Sequence, residues 1–70
     1  MNNKLKSECH YYVDLLSHSK QEKRCIYRWL GRKMHIKGIH FKDLNTEQLL
    51  HARRILRERL KNSSNLNFNE

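Results

Sequence analysis

Residues 44–61 read LNTEQLLHARRILRERLK, a stretch in which a helix start and a helical period occur together. Asn45 is a candidate N-cap, and Gln48, three residues later, completes a capping box. Leu44 before the cap and Leu49 after it have the spacing of a hydrophobic staple. Because apolar residues then recur at helical spacing, the stretch predicts an amphipathic helix. Its predicted buried stripe is Leu49, Ala52, Leu56 and Leu60.

Two further helices are predicted upstream of this stretch. The first runs from about Lys4 to His18, with a stripe of apolar residues at helical spacing. The second begins at Ser19, a candidate N-cap with Glu22 three residues later, and continues to about His35. The predicted apolar stripes are Leu5, Cys9, Tyr12, Val13 and Leu16 in the first helix, and Ile26, Tyr27, Trp29, Leu30 and Met34 in the second.

The segment between the second and third helices is predicted to be a loop over residues 37–43, and Gly38 in this loop is predicted to close the helical region. Ile39 and Phe41 alternate with polar residues there, so we expect both side chains to fill the core from a short extended segment. Gly31 lies inside the second helix, where glycine costs up to about 1 kcal/mol against alanine. We expect it to allow a neighbouring helix to pack closely.

Length and composition limit the chain to one small domain. Its 70 residues include two glycines and no proline, a composition that favours helices. The last helix is predicted to end near Lys61, and residues 62–70, rich in Asn and Ser, are predicted to be a disordered tail. The predicted fold class is therefore all-α, with a compact three-helix domain over residues 1–61.

The charge of the chain is strongly positive. It has 15 Lys and Arg against 7 Asp and Glu, a formal net charge of +8. Such an excess indicates an anionic partner, which is either nucleic acid or an acidic protein surface. The alternative interpretation is a solvated surface that only keeps the protein soluble. A membrane surface is disfavoured because the apolar helix faces are needed for the core.

Arginines recur on the outer faces of the second and third helices. Their planar forks make bidentate contacts with phosphate or carboxylate groups. Because like charges one turn apart destabilise a helix, their alignment favours a binding role over an ordinary solvated face. The predicted binding residues for nucleic acid or another anionic partner are Arg24, Arg28, Arg32 and His35 on the second helix, and Arg54, Arg57 and Lys61 on the third.

The aromatic residues are expected away from these arginines. Tyr12, Tyr27 and Trp29 fall mainly on apolar faces, and only Tyr11 points away from the stripe of the first helix. Proteins that bind single-stranded nucleic acid need exposed rings on which bases stack. The sequence therefore disfavours single-strand binding.

Metal binding and catalysis are both disfavoured. Cys9 and Cys25 do not form the close cysteine pair of a structural zinc site, so neither a metal nor another cofactor is expected. Acidic residues are scattered and no glycine-rich phosphate loop is present, so we do not expect an enzyme. No apolar run follows Met1, and we expect a cytoplasmic protein with reduced thiols.

One part of the chain, residues 10–55, resembles a known family. The matching residues are His10, Asp14 and Leu16, then Arg24, Tyr27, Trp29, Leu30, Met34 and Ile36, then His40, Phe41 and Gln48. This pattern resembles the helical C-terminal half of an uncharacterised zinc-finger-containing family found in phages, plasmids and bacteria. The resemblance implies a helical module and a mobile-element setting. It does not imply zinc, because the zinc ribbon and its four cysteines are absent.

Two hypotheses of function follow. The first is a nucleic-acid-binding accessory protein of phage or plasmid origin, with DNA and RNA both open. The second is a protein-interaction module or inhibitor that docks on an acidic surface of a host or phage protein. Leu50 lies among the arginines of the third helix and suggests a contact surface. A homodimer remains open under either hypothesis.

Overall fold

The protein is a bundle of three α-helices. A computed structural model describes the backbone of residues 3–68 and the side chains of residues 3–62. The helices are α1 (Asn3–Leu16), α2 (Lys20–Met34) and α3 (Thr46–Phe68), and a single 3-10 turn (Phe41–Asp43) precedes α3. No strand occurs within residues 3–68. The predicted all-α, three-helix fold is confirmed.

The core is built from the apolar stripes of all three helices. α1 packs along α3, and α2 contacts both of them. Most of the predicted stripe residues are buried or pack against the core, whereas Leu60 is only half-buried. The buried core residues are Cys9, Val13, Ile26, Leu30, Ile39, Phe41, Leu44, Leu49, Ala52 and Leu56.

Side-chain caps fix where α2 and α3 begin. The backbone amide of Glu22 donates to Ser19 Oγ at 3.1 Å, and Glu22 Oε1 accepts from the amide of His18 at 2.7 Å. Glu22 thus accepts from the amide of His18, one residue before Ser19, whereas a standard capping box would pair it with the amide of Ser19. At α3 the capping box is reciprocal: the amide of Gln48 donates to Asn45 Oδ1 at 2.8 Å, and the amide of Asn45 donates to Gln48 Oε1 at 2.9 Å. Both predicted caps are confirmed.

The end of α2 determines the path of the following loop. His35 has a left-handed backbone with φ of 58°, so it terminates the helix instead of belonging to it. Its amide donates to the carbonyl of Arg32 at 3.3 Å, and the amide of Ile36 donates to the carbonyl of Gly31 at 2.9 Å. This is the bonding pattern of a Schellman motif. The chain therefore reverses three residues before Gly38.

Gly31 is buried, but not against another helix as predicted. A Cβ at this position would lie 2.7 Å from the carbonyl oxygen of Ile36, in the chain's own returning loop. The close approach is therefore a consequence of the Schellman motif.

The returning loop is anchored in the core. Ile39 and Phe41 are 7% and 2% exposed, which confirms the prediction that they fill the core from the loop. Leu44 and Leu49 are buried together at the start of α3, which confirms the predicted staple. Phe41 lies in the 3-10 turn, an element that the sequence pattern did not predict.

The backbone of α3 continues to Phe68, past its predicted end near Lys61. From residue 63 onward, the predicted disordered tail lies outside the residues whose side chains are described. None of the helices in the described part of the chain is long and apolar enough to cross a membrane.

Candidate functional site

The arginines of α2 form one wall of an open groove of about 1160 Å³. Arg24, Arg28 and Arg32 follow one another at one-turn intervals, and all three are exposed. The opposite wall is the segment 35–42, which folds back along the helix after His35. His35 therefore shares the groove with the arginines as predicted, although it stands on the loop and not on the helix.

The charge of this groove has one sign. Its lining contains five Lys or Arg side chains and no Asp or Glu. A concave surface lined by one sign of charge concentrates the field and attracts counter-ions. The basic and histidine side chains of the lining are Arg24, Arg28, Arg32, Lys37 and Lys42, with His10, His35 and His40.

The basic side chains of the groove are not engaged in ion pairs. The two ion pairs among residues 3–62 join Lys23 to Asp14 and Arg53 to Glu8, both at 2.8 Å, and neither involves the groove. The pKa of Lys23 is raised by its hydrogen bond to Asp14 and by the charge of that carboxylate. The ammonium group of Lys23 is therefore paired with a carboxylate of α1. The guanidinium groups of the groove have no such pair, so their N–H groups are available to a ligand.

Aromatic and apolar side chains form the floor of the groove. The rings of Tyr27 and Phe41 have centroids 5.4 Å apart, and the ring of His10 meets Phe41 edge-on at 4.9 Å. The Tyr27 hydroxyl lies 3.3 Å from His10 Nδ1. Burial raises the pKa of Tyr27, so the hydroxyl stays protonated at neutral pH and can donate to His10. Ile36 and Ile39 complete the floor.

This floor corrects the prediction that aromatic residues lie away from the arginines. Tyr27 stands between the core side of α2 and its arginine face, because it lies about 100° around the helix from Arg28. A ring in that position packs on the core with one part and borders the groove with another. Tyr27 is accordingly half-buried and lines the groove beside Arg24 and Arg28.

The second predicted cluster lies on the outer face of α3. Arg54, Arg57 and Lys61 surround Leu50, which is 42% exposed, in a shallow depression of about 550 Å³. Arg53 and Glu58 border the same depression. The three predicted binding residues of α3 thus share a face, and we call the surface formed by Leu50, Arg54, Arg57 and Lys61 the α3 face.

The remaining arginines of α3 hold the bundle together. Arg53 Nη1 donates to Glu8 Oε1 at 2.8 Å, which ties α3 to α1 in a half-buried setting. The guanidinium of Arg59 lies 4.4 Å from the ring centroid of Trp29, a cation–π contact that ties α3 to α2. These two side chains are structural, in contrast to the unpaired arginines of the groove.

The cysteines have different environments and neither forms a disulfide. Cys9 is buried, and its thiol donates to the carbonyl of Leu49 at 3.6 Å. Burial raises the pKa of Cys9 from 9.0 to about 11, so the thiol is protonated at neutral pH and is not a nucleophile. Cys25, in contrast, is exposed. Within residues 3–62, no group of three or more His, Cys, Asp and Glu side chains could hold a metal ion.

Comparisons of the chain with known proteins give no match to a family model, to a curated protein or to a solved structure. The resemblance to the zinc-finger-containing family of phages and plasmids therefore stays a prediction.

Proposed function

We propose that the protein binds nucleic acid through the groove between α2 and residues 35–42. The observation that supports this most strongly is the lining, in which five Lys or Arg side chains occur without any acidic one. Electrostatic attraction to phosphates supplies most of the affinity in sequence-independent nucleic-acid binding. A binding protein that acts on the phosphate backbone needs this kind of surface and no catalytic group.

The arrangement of the arginines supports contact with a polymer. Arg24, Arg28 and Arg32 are spaced by four residues, about 6 Å along the helix axis, so they form a regular row. Nucleic-acid strands present regularly spaced phosphates, and each guanidinium can contact one with two hydrogen bonds. Lys37 and Lys42 face this row from the other wall. The basic residues of the α3 face add to the positive field.

The setting of this activity follows only from the sequence. We propose an accessory protein of a phage or plasmid that acts in the cytoplasm, on DNA or on RNA. The resemblance of residues 10–55 to a mobile-element family supports the first part of this proposal. The second part is supported by the two cysteines, which are both free and form no disulfide, as is usual in a reducing compartment.

The test is a fluorescence-anisotropy titration with labelled DNA and RNA across a range of salt concentrations. Binding through phosphates requires the logarithm of the association constant to fall linearly with the logarithm of salt, by about 0.9 per contacted phosphate of B-DNA. A binding constant that does not change with salt would contradict the proposal.

A matched pair of variants separates the groove from the overall charge. The groove variant replaces Arg24, Arg28 and Arg32 by Gln. The control variant replaces Lys4, Lys20 and Lys33 by Gln, which removes the same number of charges from exposed positions outside the groove. We expect the groove variant to bind much more weakly and with a smaller salt slope than the control. Equal losses in both variants would show that only the net charge matters.

The α3 face favours a second candidate function, docking on an acidic protein. An exposed leucine among basic residues suits a partner that combines an apolar side chain with carboxylates. Leu50, at 42% exposure, is the described side chain that fits this description. A pull-down from a host lysate with and without nuclease tests it. Retention of a stoichiometric partner after nuclease, and its loss on Leu50→Ser, would support docking, and loss of the partner on nuclease treatment would remove this candidate.

A further inference from the structure

We infer that the groove takes an unpaired strand, with phosphates on the arginines of α2 and a base against the rings of Tyr27 and His10. This inference rests on the proposed function and narrows it from nucleic acid in general to single-stranded nucleic acid. The shared chemistry is a flexible polynucleotide with accessible bases, whether DNA or RNA.

The floor of the groove presents aromatic rings to a ligand. Phe41 is only 2% exposed and acts as a support, whereas Tyr27 is half-buried and His10 is exposed, so these two rings border the open space. Their apolar surfaces lie beside the arginines that would hold phosphates. In a duplex the faces of the bases are stacked inside, and only base edges, sugars and phosphates are accessible from outside. An aromatic floor therefore has a counterpart on an unpaired strand and none on the backbone of a duplex.

The groove is large enough for a short strand. Its volume of about 1160 Å³ is larger than the range of roughly 300–1,000 Å³ found for small-molecule pockets. A free phosphate or another small anion would leave most of the aromatic floor in contact with water. A strand of several nucleotides can occupy both the basic walls and the floor at once.

The groove is also already formed in the free chain. The Schellman motif fixes the turn at His35, and Ile39 and Phe41 hold the returning loop in the core. The ring of Tyr27 is positioned by Phe41 on one side and by the hydrogen bond to His10 on another. Because these groups are ordered before a ligand arrives, little conformational entropy is lost when a base stacks on them.

The experiment compares two single strands that carry the same number of phosphates but differ in having bases, and adds a duplex in which the bases are paired. Labelled oligothymidylate, an abasic strand of equal length and a blunt duplex of equal length are titrated in anisotropy, together with oligouridylate to separate DNA from RNA. We expect oligothymidylate to bind at least about fivefold more tightly than the abasic strand, the lower limit for one stacked base. The duplex should bind more weakly than the unpaired strand.

Variants assign the preference to the rings. Tyr27→Leu should reduce the affinity for oligothymidylate to that for the abasic strand, while Tyr27→Phe keeps the ring and the preference. Tyr11→Leu is the matched control, because Tyr11 is 60% exposed and lies outside the groove. Because Tyr27 also packs on the core, His10→Ala provides a second variant at an exposed position. It should also lower the preference for the strand with bases.

The outcomes separate this inference from the proposed function. The inference is overturned if the wild-type protein binds the abasic strand and oligothymidylate equally well and the groove variant binds both more weakly. Phosphate binding, the proposed function, would then stand. Tighter binding of the duplex than of the unpaired strand would likewise overturn the inference and leave phosphate binding in place. If none of the four nucleic acids binds, the proposed function itself is wrong.

Discussion

The carbonyl oxygen of Ile36 occupies the space in which a side chain on residue 31 would begin. A Cβ built on Gly31 would lie 2.7 Å from that oxygen, a distance that real Cβ atoms essentially never show. The contact exists because the chain reverses directly after α2 and returns over Gly31. One residue without a side chain therefore allows the second wall of the groove to approach α2.

Gly31→Ala is expected to destabilise the protein, although alanine is the better helix former by about 1 kcal/mol. The clash involves a backbone oxygen that cannot rotate away, so the loop must move. We expect a net loss of roughly 1–3 kcal/mol in the free energy of unfolding, the usual cost of an overpacked site. Urea denaturation followed by circular dichroism measures it. A variant as stable as the wild-type protein would show that the loop shifts freely.

His35→Gly is expected to stabilise the protein. His35 has a φ of 58°, a left-handed conformation that costs a residue with a Cβ about 1–2 kcal/mol. Glycine adopts it without strain but is more flexible in the unfolded chain, so we expect a net gain of about 0.5–1 kcal/mol. The control is His40→Gly, at an exposed residue with extended backbone, where glycine should only destabilise. Equal effects of the two changes in urea denaturation would contradict the argument.

Lys37 and Lys42 are expected to contribute to nucleic-acid binding although they lie outside the arginine stripes. Both line the groove opposite α2. Replacing both by Gln should weaken binding more than replacing Lys4 and Lys33, which lie outside the groove, and should lower the salt slope by about 1 for each lost phosphate contact. Anisotropy titrations at several salt concentrations measure both effects. Identical slopes for the two double variants would place the ligand elsewhere.

The two thiols are expected to react at very different rates. Cys25 is exposed, whereas Cys9 is buried with a pKa raised to about 11. At neutral pH a thiol reagent should modify one cysteine in the folded protein and both in denaturant, and Cys25→Ser should abolish the fast reaction. Mass spectrometry of the modified peptides identifies the site. Rapid modification of Cys9 in the native protein would show that α1 and α3 separate readily.

The raised pKa of Cys9 also has a consequence for stability. Because the folded state favours the protonated thiol, the free energy contributed by the buried group is fully present below pH 9.0, the ordinary pKa. It is lost as the pH rises toward about 11, where the folded protein begins to lose the proton. In thermal melting experiments from pH 8 upward, the melting temperature of the protein should therefore fall as the pH rises from 9.0 to about 11.

The helices and their caps could be predicted from the sequence because they depend on neighbouring residues. Ser19 caps the amide of Glu22, and Asn45 and Gln48 cap each other's amides, all within about one turn. Such local interactions can be recognised in the sequence, because they require particular residue types at a fixed short spacing. The arginines of α2 likewise share a face because the period of the helix places them there.

The second wall of the groove could not be predicted because it depends on where the chain reverses. The sequence predicted that α2 ends near His35 and that Gly38, the usual residue type for a left-handed turn, closes the helical region. Both residues have a left-handed backbone, but the sequence did not indicate the Schellman motif at His35, and only the fold brings Lys37, His40 and Lys42 opposite the arginines. The alternation of Ile39 and Phe41 was the pattern that could have indicated this, because two anchored residues force His40 between them, and Lys42 after them, outward.

Trp29 is the single tryptophan of the chain, and its half-buried indole lies under the guanidinium of Arg59. It does not line the groove. Its fluorescence is thus an intrinsic optical probe of whether α3 is docked on α2, and it is separate in space from the surface where a ligand would bind. Unfolding and ligand binding can therefore be followed independently in the same unlabelled protein, the first by indole emission and the second by the anisotropy of the labelled strand.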